Sequence, residues 1–279
     1  MKTEVVGQNS KEAFWTNYLS AAGQGLGRTF CLMPFIHPLD SIKYQIQCSE
    51  GDPKIVRFVR ELMLREGLPG LYEGYWSNLK RSCTKQLWKW PIFVCVPEYL
   101  EKRGWDGYSS RVFAGVFSGT VDALFTTGLT RDAIQEMTRR STDLNRDAIL
   151  EMTRRNTERN ELLKGVYLNW KLHTVGATVF LTSQKAFKEG YLSYTEKREL
   201  GSRDYFCIGL LSAGVVSVSR IFLDVKNTLF FTAGPSMHSR GWRCYVATAG
   251  IHYVISVLHN ATAAAAFDQF QERSTFNSV

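Results

Sequence analysis

Long stretches without a charged residue alternate with short charged segments along this chain. Cys244–Phe267 runs 24 positions without a charge, enough to cross a bilayer as a helix rising about 1.5 Å per residue. A buried core helix is the other reading of that run. Shorter uncharged runs cover Ala13–Gly27, Thr29–Leu39, Val112–Val121, Ala123–Thr130, Leu172–Gln184 and Tyr205–Ser219. Arg28 and Asp122 each join two of these, so simple hydropathy undercounts the spans. Small residues four apart recur within the runs: Gly23 and Gly27, Gly115 and Gly119, Gly209 and Ala213. That spacing lets membrane helices approach closely.

The pattern occurs three times, in 12–102, 107–192 and 203–273. Each segment opens with an apolar helix that starts with small residues and ends near a polar cluster. A charged amphipathic stretch follows, then a second apolar helix ending in a carboxylate or amide. Pro38, Gly128 and Phe222 are equivalent points, 90 and 94 residues apart. A recurring unit of this length predicts a repeat architecture.

Composition changes the picture little. Lys+Arg number 34 against Asp+Glu 26 over 279 residues, a basic balance that suits nucleic acid, anionic lipid or anionic metabolites. Mean hydropathy is −0.18, low for a multispan protein unless its helices line a wet cavity. The six cysteines are scattered and read as reduced, small apolar fillers. Met1–Lys11 is polar, so neither a cleavable signal peptide nor an Arg-rich presequence is expected there. No Ser/His/Asp order, metal-ligand cluster or phosphate loop stands out, and no enzyme is expected. His173, His252 and His259 lie on apolar runs and read as packing histidines.

The most specific signal is His37-Pro38-Leu39-Asp40-Ser41-Ile42-Lys43, continuing to Gln47. Further on comes Glu66-Gly67-Leu68-Pro69-Gly70-Leu71-Tyr72-Glu73-Gly74. The two halves together resemble the signature of the mitochondrial carrier family. The first is its Pro-x-Asp-x-x-Lys with a following Gln. The second is its acid-Gly, aromatic, base, Gly segment, with Glu73 where the base belongs. Proline removes a backbone donor and kinks a helix, here at Pro38. Asp40 and Lys43 then share one helix face.

The resemblance implies an all-α membrane protein with six transmembrane helices in three pseudo-threefold two-helix repeats and short matrix-side amphipathic helices. It implies a multi-pass place in the mitochondrial inner membrane, with bound phospholipid such as cardiolipin and no other cofactor. It also implies a gate in which the acid of one repeat pairs with the base of the next. By that pattern Asp40, Lys43, Gln47 and Asp224 are gate residues.

Repeats two and three depart from the signature. The second reads Thr127-Gly128-Leu129-Thr130-Arg131-Asp132-Ala133, losing proline, acid and base. The third reads Phe222-Leu223-Asp224-Val225-Lys226-Asn227, keeping the acid but moving the base by one place. One place turns a helical side chain by about 100°. Cyclic pairing therefore leaves one combination, Asp224 with Lys43, and sets Asp40 against Ala133. The opposite gate is also incomplete: Glu98, Gln184 and Asp268 hold its acid positions, with Lys102 and Lys188 one place off.

The family's substrate contacts fall on Arg81 and near Lys171, either of which could hold an anion or be retained ancestry. Trp88-Lys89-Trp90-Pro91 reads as lipid-facing or packing aromatic. Residues 131–140 nearly repeat as 146–155, a tandem helical insert in 131–155 with a period of 15. Its charges read as a solvated helix or a docking element for other subunits, within 131–160. No nucleic-acid partner is expected.

Two functions follow. The first is a transport-impaired accessory subunit of a larger inner-membrane complex, for example a respiratory one, motivated by losses at both gates and by the insert. The second is an active transporter of an anionic metabolite or nucleotide, motivated by Arg81 and Lys171.

Overall fold

The computed structural model describes residues 2–48, 55–138, 159–195, 200–232 and 244–259. Seven helices account for nearly all of them: α1 (Lys2–Cys48), α2 (Ile55–Leu71), α3 (Tyr75–Glu101), α4 (Gly107–Thr138), α5 (Arg159–Thr195), α6 (Ser202–Thr232) and α7 (Cys244–His259). Among the described residues there is no strand. Residues 139–155 of the tandem insert, Asp268, and the part of Cys244–Phe267 beyond His259 lie outside them.

Helices pack on their successors: α1 on α3, α3 on α4, α4 on α5, α5 on α6. Contacts of α7 with α6, at Phe222 and Tyr245, and with α1, through Cys244, Ala247, Ile42 and Ile46, close the ring. Two helices, α4 and most of α6, are long and apolar enough to cross a membrane.

The distribution of side chains within α4 is inverted relative to a water-soluble helix. Its inward face is small or polar: Ser110, Ala114, Gly115, Ser118, Gly119, Asp122 and Thr126 are buried. Its outward face carries Phe113, Val116, Phe117, Leu124 and Phe125, the last 66 % exposed. On α6, Leu211, Val215, Val218 and Phe222 point out while Ser212, Ser217 and Asp224 are buried. Water would penalise such a surface, whereas hydrocarbon favours it.

Close approach follows from the small residues at one of the expected pairs. A Cβ on Gly115 would meet the Thr178 backbone of α5 at 2.6 Å, and Gly119 sits equally tightly against Thr174. Gly23 and Gly27 have open space around them instead.

The two signature halves are stitched together by hydrogen bonds. Helix α1 continues through Pro34 and Pro38. Pro38 has no N–H for the carbonyl of Pro34, four residues back. The Tyr72 hydroxyl donates to that carbonyl at 3.0 Å. His37 Nε2 lies 3.1 Å from the Glu73 carbonyl. Turning the chain between these contacts requires φ of +66° at Gly67 and +73° at Gly74, conformations that glycine adopts without strain. Glycines 67 and 74 thus have a backbone reason for being in the motif.

Candidate functional site

At the Pro38 end of the bundle, Lys43 is buried. Its ammonium lies 3.2 Å from Asp224 on α6 and 3.8 Å from Asp40 on its own helix. Gln47 extends the pair, donating to Asp224 at 3.0 Å and accepting from the Thr228 hydroxyl at 2.6 Å. A buried ion pair is costly to desolvate unless its remaining hydrogen-bonding positions are filled. Here Gln47 fills one of them and Thr228 holds Gln47 in place.

Asp40 has a different setting. Asn78 donates to it at 3.3 Å, and Arg81 lies 4.0 Å away. Asn78 also donates to His37 Nδ1 at 3.1 Å and accepts from Arg81 at 2.5 Å. That contact fixes the remaining His37 proton on Nε2, facing Glu73. Asp40 is therefore engaged within α1 and α3. Ala133 packs under Tyr44 with Ile134 and Met137 in an apolar cluster.

Amides connect the other helix pairs at this end. Gln45 of α1 donates to the Met137 carbonyl of α4 at 3.4 Å. Gln135 of α4 donates to the Phe231 carbonyl of α6 at 3.1 Å. Thr130 and Asn227, at the substituted acid and base positions, are buried, and Thr130 Oγ1 and Asn227 Oδ1 have no hydrogen-bond partner.

Beyond this layer the helices enclose a cavity of about 230 Å³. Six cationic side chains line it: Arg28, Lys43, Arg81, Lys85, Lys89 and Arg220. Its carboxylates are Asp40, Asp122 and Asp224, leaving a surplus of three positive charges with the histidines neutral. Among the described residues Arg28, Lys85, Lys89 and Arg220 have no carboxylate within ion-pair distance. Among the described residues, the buried Nε atoms of Arg28, Arg81 and Arg220 have no hydrogen-bond partner. Gly176 makes room for Arg220, whose Cδ would lie 2.6 Å from a Cβ there.

Arg81, Lys85 and Lys89 form a ladder on α3. Residues four apart lie about 6 Å apart along a helix and on nearly one face. That spacing is readable in the sequence.

Three expectations change. Lys171 is not among the lining residues; its ammonium lies 4.3 Å from the Tyr167 ring centroid, and His173 reaches the cavity instead. His173, His252 and His259 all line the cavity and are not merely packing groups. The Trp88–Trp90 segment faces inward. Trp88 Nε1 donates to Asp122 at 2.8 Å, and the Arg28 guanidinium sits 4.1 Å from the Trp90 ring centroid.

At the opposite end the charges satisfy each other locally. Lys102 pairs with Glu98 one turn back at 2.6 Å, and Glu101 with Arg111 of α4 at 2.5 Å. Gln184 and Lys188 complete no acid–base pair there among the described residues.

Residues 10–104, spanning α1 to α3, match the family model described as mitochondrial carrier protein. A mitochondrial substrate carrier family protein Z from Dictyostelium discoideum is 27 % identical over 128 residues, 43 % of this chain and 40 % of that protein. A mitochondrial dicarboxylate transporter from Candida glabrata is 32 % identical over 68 residues, 24 % of this chain and 23 % of that protein. The chain thus matches well under two thirds of the length of either relative. With the signature stitched at Pro38, Tyr72 and the two left-handed glycines, residues 10–104 match the mitochondrial carrier family.

Proposed function

We propose that the chain carries a small anionic metabolite across the mitochondrial inner membrane, as a multi-pass protein of six spans in three repeats. The observation that carries this reading is the cavity with four cations lacking a carboxylate partner among the described residues. Unneutralised buried charge is costly and persists where a ligand supplies the counter-charge. A volume of about 230 Å³ lies below the roughly 300–1,000 Å³ of sites for drug-sized ligands. That favours a compact carboxylate over a nucleotide. Glutamine amides at the helix junctions offer a closure that is mostly polar, with one ionic contact.

The test is uptake by liposomes containing the purified chain, with a panel of mono-, di- and tricarboxylates and nucleotides. Uptake of a compact carboxylate is expected, reduced at least about tenfold by Arg220→Ala, as loss of a charge-assisted contact of 1.5–3 kcal/mol implies. Absence of uptake with every anion, together with no anion-induced thermal shift, would overturn the reading.

A second reading is supported by the ion pairs at the Pro38 end, where Lys43 with Asp224 alone joins two repeats among the described residues and the family pattern implies three. In it, the chain is an accessory subunit of a larger inner-membrane assembly, docked through 131–160. Native-gel migration decides it: a band of monomer size, absent from every large complex, excludes that role.

A further inference from the structure

We propose that Lys85, His173 and Asp122 form a proton-binding site that couples one proton to each anion carried; this rests on the reading of the chain as an anion carrier. The three side chains come from α3, α5 and α4, and all line the cavity. Lys85 Nζ lies 3.0 Å from His173 Nε2, and His173 Nδ1 lies 3.6 Å from Asp122 Oδ2. An ammonium can only donate, so Nε2 accepts and the neutral ring carries its proton on Nδ1, facing Asp122. The second Asp122 oxygen is held by the Trp88 indole at 2.8 Å. The chain of contacts thus runs from a cation through an imidazole to a fixed carboxylate.

With Lys85 charged, His173 neutral and Asp122 ionised, the trio has no net charge. The charged groups around His173 are Lys85, Lys89 and Arg81 on α3, Asp122 on α4 and Arg220 on α6. In an empty cavity this cationic field opposes another proton. An anion bound among the same cations cancels that field and lets the trio take up one proton from cavity water. The new bond is an O–H on Asp122 or an N–H on the ring, formed as an O–H of cavity water breaks. The proton returns to water when the anion leaves on the other side. Linkage makes the effect reciprocal, so the proton also strengthens anion binding.

The experiment is calorimetry of the purified full chain in detergent, with succinate and citrate as probes, in buffers of different ionisation enthalpy near neutral pH. Uptake of about one proton per anion bound is expected. Asp122→Asn removes the anionic member; it binds the probe with no proton uptake, and His173→Gln lowers the proton count. In proteoliposomes, an inside-alkaline gradient of one pH unit raises accumulation by up to about tenfold. Binding without proton uptake, full proton uptake in both variants, or transport that ignores the gradient overturns the coupling and leaves the carrier reading intact. No binding and no transport of either probe overturns both.

Discussion

Asp40 on α1 and Asp224 on α6 are both buried acids near Lys43, yet they meet different surroundings. Asp224 reaches across to Lys43 at 3.2 Å and is braced by Gln47. Asp40 turns to α3, where Asn78 and Arg81 receive it. The junction of α6 and α1 is ionic. The junction of α1 and α4 is apolar, with Tyr44 over Ala133 and one long amide contact from Gln45. Where α4 offers Ala133 and no base, Asp40 is held by nearer donors and the position is packed.

The largest effect expected comes from breaking the ionic junction. Lys43→Ala removes the one cation within ion-pair distance of Asp224 among the described residues, which costs about 3–5 kcal/mol. Asp40→Asn keeps hydrogen-bonding atoms beside Asn78 and leaves the Lys43–Asp224 pair in place, so it costs about 1 kcal/mol. Thermal unfolding of both variants in the same detergent measures the contrast. Equal losses would show that the two acids do equivalent work.

A smaller effect tests whether the apolar junction can be returned to an ionic one. Ala133→Lys restores the base of repeat two opposite Asp40. Ala133 is fully buried among Tyr44, Ile134 and Met137, so the longer side chain overpacks the cluster. A destabilisation of about 1–3 kcal/mol is expected. A rise in melting temperature would mean that Asp40 remains available to repeat two.

These contrasts mark what the sequence made legible. Pairing of Lys43 with Asp224 followed from counting places on a helix, because both motifs survive in recognisable form. The bond from Tyr72 to the Pro34 carbonyl also has a local cause, the missing N–H of Pro38. The cavity is less legible. Arg28 and Arg220 interrupt or border apolar runs, where an isolated cation looks like a snorkelling side chain, and Lys85 and Lys89 follow Lys80 and Arg81, where a charge run looks like a solvated face. Their convergence depends on how three helices face one another. His173 lies on an apolar run with Lys171 two residues before it, and no local signal sets which of the two points inward on α5. Asn78 carries no signal of its own: its importance lies in joining Arg81, one turn away, to His37 and Asp40, which are distant in sequence.

The smallest effect lies at the far end of the junction between repeats one and two, where α4 begins. Asp106 precedes the helix, and its carboxylate accepts from the backbone N–H groups of Tyr108 at 2.8 Å and Ser109 at 3.1 Å. Those two bonds, Ser109 first, hold the Asp106 carboxyl below the usual carboxylate range. A depressed carboxyl contributes stability that is present above its unfolded-state pKa and is lost as pH falls through the folded value. The cap should therefore weaken in acid, below the ordinary titration of aspartate. Asp106→Ala removes it at every pH, whereas Asp106→Asn keeps a capping oxygen and removes the pH dependence. Amide exchange at residues 107–110 is the readout, because the change is local. Expected are faster exchange in the alanine variant near neutral pH, near-normal protection in the asparagine variant, and convergence of wild type toward alanine in acid. If the ionic junction at Lys43 and Asp224 loosened together with the cap, the two ends of the bundle would be coupled, and the contrast between the junctions would not be a local property of either.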